Sequence, residues 1–279
     1  MNANVIGSYE QLEEIVEREG IDKIVVALAD RRGVLPVEVL LSCKLRGVKV
    51  EDVATFYEQV SGKIMLENLR PSWLVFSEDF TISPLTRALK RLQDIVLAVV
   101  GGTLALPLAI LVAVLIRLDS RGPVLFRQER VGQDGESFTL IKFRSMKVDA
   151  EAATGPIYAE ADDPRITRVG RIIRRMRLDE LPQLVNVLNG DMSFVGPRPE
   201  RRFFVEQFEK DIPYYTRRMS VKPGVTGWAQ VKYPYGATAE DAAEKLRLDL
   251  YYVKNMSSLF DLFIILQTVK IVLLGQGAR

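Results

Sequence analysis

The sequence predicts an α/β protein, part soluble and part membrane-associated, and three observations carry that expectation. Short apolar runs alternate with helical patterns over residues 1–80, a nearly unbroken apolar stretch follows from Ile95 to Ile116, and an Asp-Gly turn signal then separates two strand-like runs ahead of several helical segments. Composition agrees: 48% of the 279 residues are hydrophobic and 27% charged, with mean hydropathy near zero at +0.06. The chain contains no histidine and one cysteine, so any acid/base or covalent chemistry falls to carboxylates. A lone Cys43 excludes an intramolecular disulfide framework and suits a reducing compartment.

The first zone is a small module. Met1 to Asn4 has neither a basic n-region nor an apolar h-region, so no signal peptide is expected. Ser8 and Gln11 have capping-box spacing ahead of Leu12, Ile15 and Val16. Lys23 to Ala29 suits a buried strand, Pro36 opens a helical pattern through Leu45, and Gly47 to Val53 reads as the next strand. This alternation resembles part of a doubly wound, Rossmann-like fold. No G-x-G-x-x-G fingerprint occurs, which favours a structural or regulatory module over a nucleotide site.

The second zone, Ile95 to Ile116, passes the length criterion for a bilayer-crossing helix. Pro107 lies near its centre, and basic residues flank both ends: Lys90 and Arg91 before it, Arg117, Arg121, Arg127 and Arg130 after it. The charge rule therefore assigns neither end to the far side, and a proline-bent helix can return to the leaflet it entered. From these residues alone a kinked span and a re-entrant hairpin are equally open.

In the third zone, Val124 to Val131 and Ser137 to Met146 flank Gln133-Asp134-Gly135-Glu136, a hairpin signal. Lys142 and Arg144 share a face at a period of two, as phosphate contacts or as an ordinary solvated face. Residues 165 to 177 carry six arginines and no acid; among them Arg171, Arg174 and Arg175 fall on one side of a helix. Asp179 and Glu180 follow, with Asp179 near the N-cap of a helix from Leu181 to Leu188 started by Pro182. An acidic helix start is by itself the plain reading. Gly196-Pro197-Arg198-Pro199 then forms a rigid loop whose arginine suits bidentate phosphate binding. Leu246 to Tyr252 is apolar-rich, Leu259 to Leu274 suits an interfacial helix in the headgroup plane, and Tyr214, Tyr215, Arg217 and Arg218 are candidates for the same boundary.

Together, the strings Lys142-Phe143-Arg144-Ser145-Met146, Asp163-Pro164-Arg165-Ile166-Thr167, Leu178-Asp179-Glu180-Leu181-Pro182-Gln183-Leu184, Gly190 to Glu200 and Lys222-Pro223-Gly224-Val225-Thr226-Gly227-Trp228-Ala229-Gln230 resemble the bacterial sugar transferases, the monotopic phosphoglycosyl transferases. The likeness covers roughly residues 84 to 279, and residues 1 to 80 resemble the nucleotide-binding-like module of the longer exopolysaccharide-type members. The helical membrane region that usually precedes that module is not in this sequence, which points to a truncated chain.

The resemblance implies three parts: a partial Rossmann-like module (1–80), a re-entrant membrane helix (84–118) and a catalytic domain (119–279). It implies transfer of a hexose 1-phosphate from a UDP-sugar to polyprenyl phosphate with release of UMP, at the cytoplasmic face of a bacterial inner membrane. Asp179 would be the nucleophile and Glu180 a Mg²⁺ ligand, with Lys142, Arg144, Arg174, Arg198, Pro199 and Gln230 around the substrate. Pro107 would break the hairpin that Lys90 and Arg91 anchor at the lipid surface. Membrane lipids are expected partners, a homodimer is compatible with the reading, and no nucleic acid is expected. Two departures stand out. Leu106 occupies the place where small members carry a serine, and Val231-Lys232-Tyr233-Pro234-Tyr235-Gly236 replaces an Asn-Gly-Arg type sequence, which puts one phosphate or sugar contact in doubt. The competing reading is a non-catalytic, membrane-docked nucleotide-sugar sensor or scaffold.

Overall fold

The computed structural model describes residues 5–28, 35–68, 82–151, 155, 157, 163–233, 236 and 238–274. The chain divides into two compact units, Met1–Leu69 and Arg70–Arg279.

In the first unit the Ser8/Gln11 capping box forms as its spacing predicts and leads through a single turn into α1 (Leu12–Glu19), which ends at Gly20 with φ 62°. Strands β1 (Lys23–Val26) and β2 (Lys49–Asp52) pair in parallel, with α2 (Val37–Leu45) between them in sequence. Helix α3 (Val53–Ser61) follows directly, capped by Asp52, whose carboxylate accepts from the Ala54 N–H. Val16, Cys43 and Val48 form the core, so the one cysteine is spent on packing. Among the described residues this is one parallel strand pair, short of a doubly wound sheet, and Ala29 at the end of the expected first strand lies outside them.

The second unit opens with α4 (Pro84–Asp119), started by Ser83, which caps the Thr86 N–H, and by Pro84 at its first position. Helical backbone continues through Pro107, so the element is longer than the apolar run and carries no loop at the proline. Both ends dock on the same unit. Near the start, Lys90 donates to the Val195 carbonyl and to Asp261, while Asp94 accepts from the Ser193 hydroxyl and the Phe194 N–H. Near the end, Val112 and Ile116 are buried against Phe143 and Ile173. Between these anchors Leu104, Leu106, Ile110 and Leu111 face outward.

The expected hairpin is present: β3 (Leu125–Val131) and β4 (Ser137–Phe143) pair antiparallel around a turn with positive φ at Asp134 and Gly135. Next come α5 (Arg168–Arg175), a tight 3₁₀ turn at Leu178–Glu180 and α6 (Gln183–Asn189). The short parallel strands β5 (Ser193–Val195) and β6 (Gly224–Thr226) bracket α7 (Arg202–Asp211) in sequence. Their loops approach so closely that a Cβ on Gly196, Gly224 or Gly227 would meet neighbouring backbone at 2.1 to 2.4 Å. Helices α8 (Trp228–Lys232), α9 (Ala239–Lys254) and α10 (Ser258–Leu273) complete the unit. Leu246, Leu248, Leu250 and Tyr252 are fully buried, which makes the first C-terminal apolar segment a core helix. Tyr215 and Arg218, expected at a lipid boundary, are buried too: Arg218 pairs with Asp249 at 2.7 Å and donates to the Tyr215 hydroxyl at 3.0 Å. Two desolvated polar partners satisfy each other there, an arrangement that neither residue's type discloses.

Candidate active site

The Asp179–Glu180 pair sits where α4, the hairpin and α6 converge. Leu178 and Leu181, on either side of the pair, pack against the cluster of Val112, Ile116, Phe143 and Ile173, which fixes the turn on an apolar floor. Arg177 enters that turn with φ 57°, so the chain reverses sharply and both carboxylates fall within one 3₁₀ turn. The next helix begins at Gln183 rather than Leu181, with Pro182 as its cap, so Asp179 is not the N-cap residue the sequence predicts. The position is almost closed: Asp179 is 8% and Glu180 9% exposed.

Burial and the neighbouring Glu180 charge together push Asp179 up to about 6, while Lys142, Arg174 and Arg198 pull against them. Low dielectric thus outweighs the cations present. Burial also opposes charge on Glu180, yet Arg198 and Arg177 outweigh it and leave that carboxyl below its usual range. Arg198 bonds Glu180 at 3.0 Å and Arg177 approaches it at 3.6 Å. Lys142, its ammonium 5.3 Å from the Phe126 ring centre, is lowered to about 8 by burial first and then by Arg130, with Asp179 opposing. The result is a carboxylate pair with divided protonation, ringed by cations.

The remaining sequence-predicted residues separate into two groups. Lys142, Arg174 and Arg198 act on Asp179, and Pro199 lines a crevice beside Arg198 with Pro197, Glu200 and Arg218. Arg144 does not join them. Its guanidinium donates to the Ser120 and Arg121 carbonyls and to the Ser120 hydroxyl, because carbonyls beyond the end of α4 capture it. Gln230 is also engaged elsewhere, its amide donating to the Val225 carbonyl. Ile173 is buried while Ile172 is exposed, so one side of the arginine helix alone seats it.

Three contributors went unassigned in the sequence. Arg177 was legible in principle, since it stands three residues before Glu180 within the same turn. Arg130 was noted only as flanking charge; it bonds the Pro199 carbonyl at 3.1 Å. Arg218 donates to the Arg198 carbonyl at 3.1 Å and so fixes the backbone of the loop arginine from beneath. The motif Asp163 to Thr167 lies at the same convergence: Asp163 clamps Arg165, and Thr167 N–H bonds the Ser145 carbonyl, joining this loop to the segment after β4.

Residues 85–275 match the bacterial sugar transferase family. The chain belongs to it. Among similar members, a UDP-N-acetylgalactosamine-undecaprenyl-phosphate N-acetylgalactosaminephosphotransferase of Aeromonas hydrophila is 43% identical over 240 residues, 86% of this chain and 56% of that protein. A putative undecaprenyl-phosphate N-acetylgalactosaminyl 1-phosphate transferase of Bacillus subtilis is 51% identical over 143 residues, covering 50% of this chain and 79% of its own. A UDP-glucose:undecaprenyl-phosphate glucose-1-phosphate transferase of Escherichia coli is 45% identical over 193 residues, 68% of this chain and 41% of that protein. This family member thus spans about half the length of the Aeromonas and Escherichia relatives.

The resemblance implies Mg²⁺ on Glu180, and the donor set can be tested. Among the described residues no group of three or more acidic, cysteine or histidine ligands exists. Two adjacent carboxylates do fit a hard cation that takes its remaining ligands from water and substrate phosphates. Glu180 would then be the protein's ligand, with water and the donor's phosphates completing the set.

Proposed function

We propose that this chain transfers a sugar 1-phosphate from a UDP-sugar to a polyprenyl phosphate through a covalent intermediate on Asp179. A carboxylate oxygen of Asp179 attacks the phosphorus that bears the sugar. The bond from that phosphorus to the bridging oxygen breaks, and UMP departs with the electron pair. An oxygen of the lipid phosphate then attacks the same phosphorus, the acyl phosphate bond breaks, and Asp179 regains its carboxylate. Splitting the transfer lets the soluble donor and the lipid acceptor use one site in turn.

The observation that supports this reading best is the setting of Asp179: a buried carboxylate bordered by Lys142, Arg174 and Arg198, beside a second carboxylate that stays ionised. The cations offset the charge of an incoming diphosphate, and closure keeps water from the acyl phosphate. Arg198 and Arg174 orient phosphate oxygens, and Lys142 adds a positive charge beside Asp179. Bound Mg²⁺ would supply additional neutralisation between the carboxylates and the diphosphate.

We further infer that α4 enters and leaves the bilayer on one side. In a straight helix Gly102 and Val112 stand about 15 Å apart. Yet Leu184, which faces Gly102, and Leu181, which packs against the cluster that contains Val112, lie three residues apart around the start of α6. That spacing favours a helix bent between its two docking points, where Pro107 removes a backbone donor. The two polar flanks would then share the cytoplasmic face.

The direct test is intact-protein mass spectrometry after adding a UDP-sugar and Mg²⁺ without lipid acceptor. A hexose-phosphate adduct on the wild-type chain, absent from Asp179→Asn, is the expected result. An undiminished adduct on Asp179→Asn would assign the nucleophile elsewhere.

A further inference from the structure

Away from the carboxylate pair, α8 and α10 enclose a cleft of about 290 Å³ whose lining includes Trp228, Lys232, Phe263, Gln267, Lys270 and Ile271. Two lysines face it and no acidic residue does. The Lys232 ammonium stands 4.8 Å from the Trp228 ring centre, and the Trp228 and Phe263 rings lie 6.2 Å apart, so the floor is aromatic. Neither lysine forms an ion pair among the described residues. On α10, Phe263, Gln267, Lys270 and Ile271 recur at helical spacing and form one stripe. A second stripe beside it, Leu259, Leu262, Leu266 and Val269, is apolar and exposed.

The depth of this cleft follows from its neighbours. Lys90 of α4 bonds Asp261 of α10, and Gln93 donates to the Ser258 carbonyl, just before the apolar run of α4 begins at Ile95. The start of α10 is thereby tied to the level at which α4 leaves water, and its exposed leucines lie at the acyl boundary. Cations over an aromatic floor at that height complement a phosphate ester attached to hydrocarbon chains.

We propose that the α8–α10 cleft binds the headgroup of an anionic phospholipid. The occupant is taken to be bulk lipid and not the acceptor, because the cations acting on Asp179 are Lys142, Arg174 and Arg198, and neither Lys232 nor Lys270 is among them. The proposal rests on the membrane placement of α4 and is independent of the transfer chemistry.

The test uses the full chain in detergent, with phosphatidylglycerol or phosphatidylcholine added, and reads retained lipid by native mass spectrometry. Wild type should keep one phosphatidylglycerol in preference to phosphatidylcholine. Lys232→Ala and Lys270→Ala should each weaken retention roughly fivefold, and the double variant should abolish the preference, whereas Lys210→Ala on the exposed side of α7 should not. Adduct formation from a UDP-sugar should persist in every variant, which separates this outcome from failure of the nucleophile assignment. Equal retention of both lipids by wild type, or an equal loss in Lys210→Ala, would overturn the site. So would a double variant that keeps its phosphatidylglycerol but shows a raised KM for polyprenyl phosphate, since the cleft would then serve the acceptor.

Discussion

On the proposed mechanism Asp179 must lose its proton before it can attack, and its environment sets when that happens. With Asp179 raised to about 6 and Lys142 lowered to about 8, the rate of adduct formation should rise as pH passes 6 and fall as Lys142 loses its charge near 8. A single-turnover pH profile with no alkaline limb would show that Lys142 is dispensable as a cation. Lys142→Gln removes a charge that favours the carboxylate, so the acid limb should move upward. Stability should report the same linkage. A carboxyl raised by burial costs nothing below the unfolded value near 3.8; its cost grows as pH rises toward 6 and is constant above. Asp179→Asn should therefore raise stability at pH 7 by up to about 3 kcal/mol and hardly change it at pH 3.5, as denaturant titrations at the two pH values would show. Motif strings drew attention to the acidic pair, Lys142 and Arg198, and helical spacing to Arg174, whereas the period-two rule that groups Arg144 with Lys142 says nothing of the carbonyls beyond a neighbouring helix that it bonds.

Among elements, the hairpin was legible because Asp-Gly satisfies a backbone requirement that few residue pairs meet. The starts of β1 and α2 were also close to expectation. Less legible was the start of α6, since Pro182 fits a helix cap as readily as a first turn, and the intervening 3₁₀ turn depends on Arg177 adopting positive φ. Helix α4 is the element most open to test. Pro107→Leu restores a backbone donor and favours a straight helix, so tags before Lys90 and after Arg130, both expected on the cytoplasmic side in the wild type, should show mixed accessibility. Opposite accessibility in the wild-type chain would refute the return. The Arg218–Asp249 pair is a second test, because Arg218 also supports the Arg198 carbonyl. Asp249→Asn should cost several kcal/mol, about 3 to 5 for a broken buried pair, and lower the rate of adduct formation. A thermal shift without a rate change would limit Arg218 to a structural part.

At the scale of the molecule, the sequence reads as a module over residues 1–80, and the chain divides after Leu69. Residues 1–80 lack any acid/base constellation, and in the structure the first unit spends its cysteine and its capping box on its own packing. Deleting residues 1–80 should leave adduct formation intact while lowering yield, measured on membrane-bound protein. Complete loss of adduct in a folded truncation would move part of the site into that unit. The burial of Tyr215 and Arg218, by contrast, could not be read in advance. Aromatic and basic residues are common at a lipid boundary and equally able to close a polar core, and only the partner, Asp249, thirty-one residues away, decides between the two.

Helix α6 is held at its far end by Arg91, whose guanidinium takes the Val187 and Leu188 carbonyls at 2.6 and 2.8 Å. Asn186 fastens the same helix sideways to β4 through Thr139 and Ile141. Arg91 stands one turn ahead of the apolar run, so a rod about 10 Å long joins the water–lipid border to the carboxylate pair. On the proposed mechanism the reacting carboxylate is thereby kept at a constant altitude. An acceptor would be selected by the height at which its phosphate floats, and a short-chain ester free in water would be a poor substrate even with an identical headgroup.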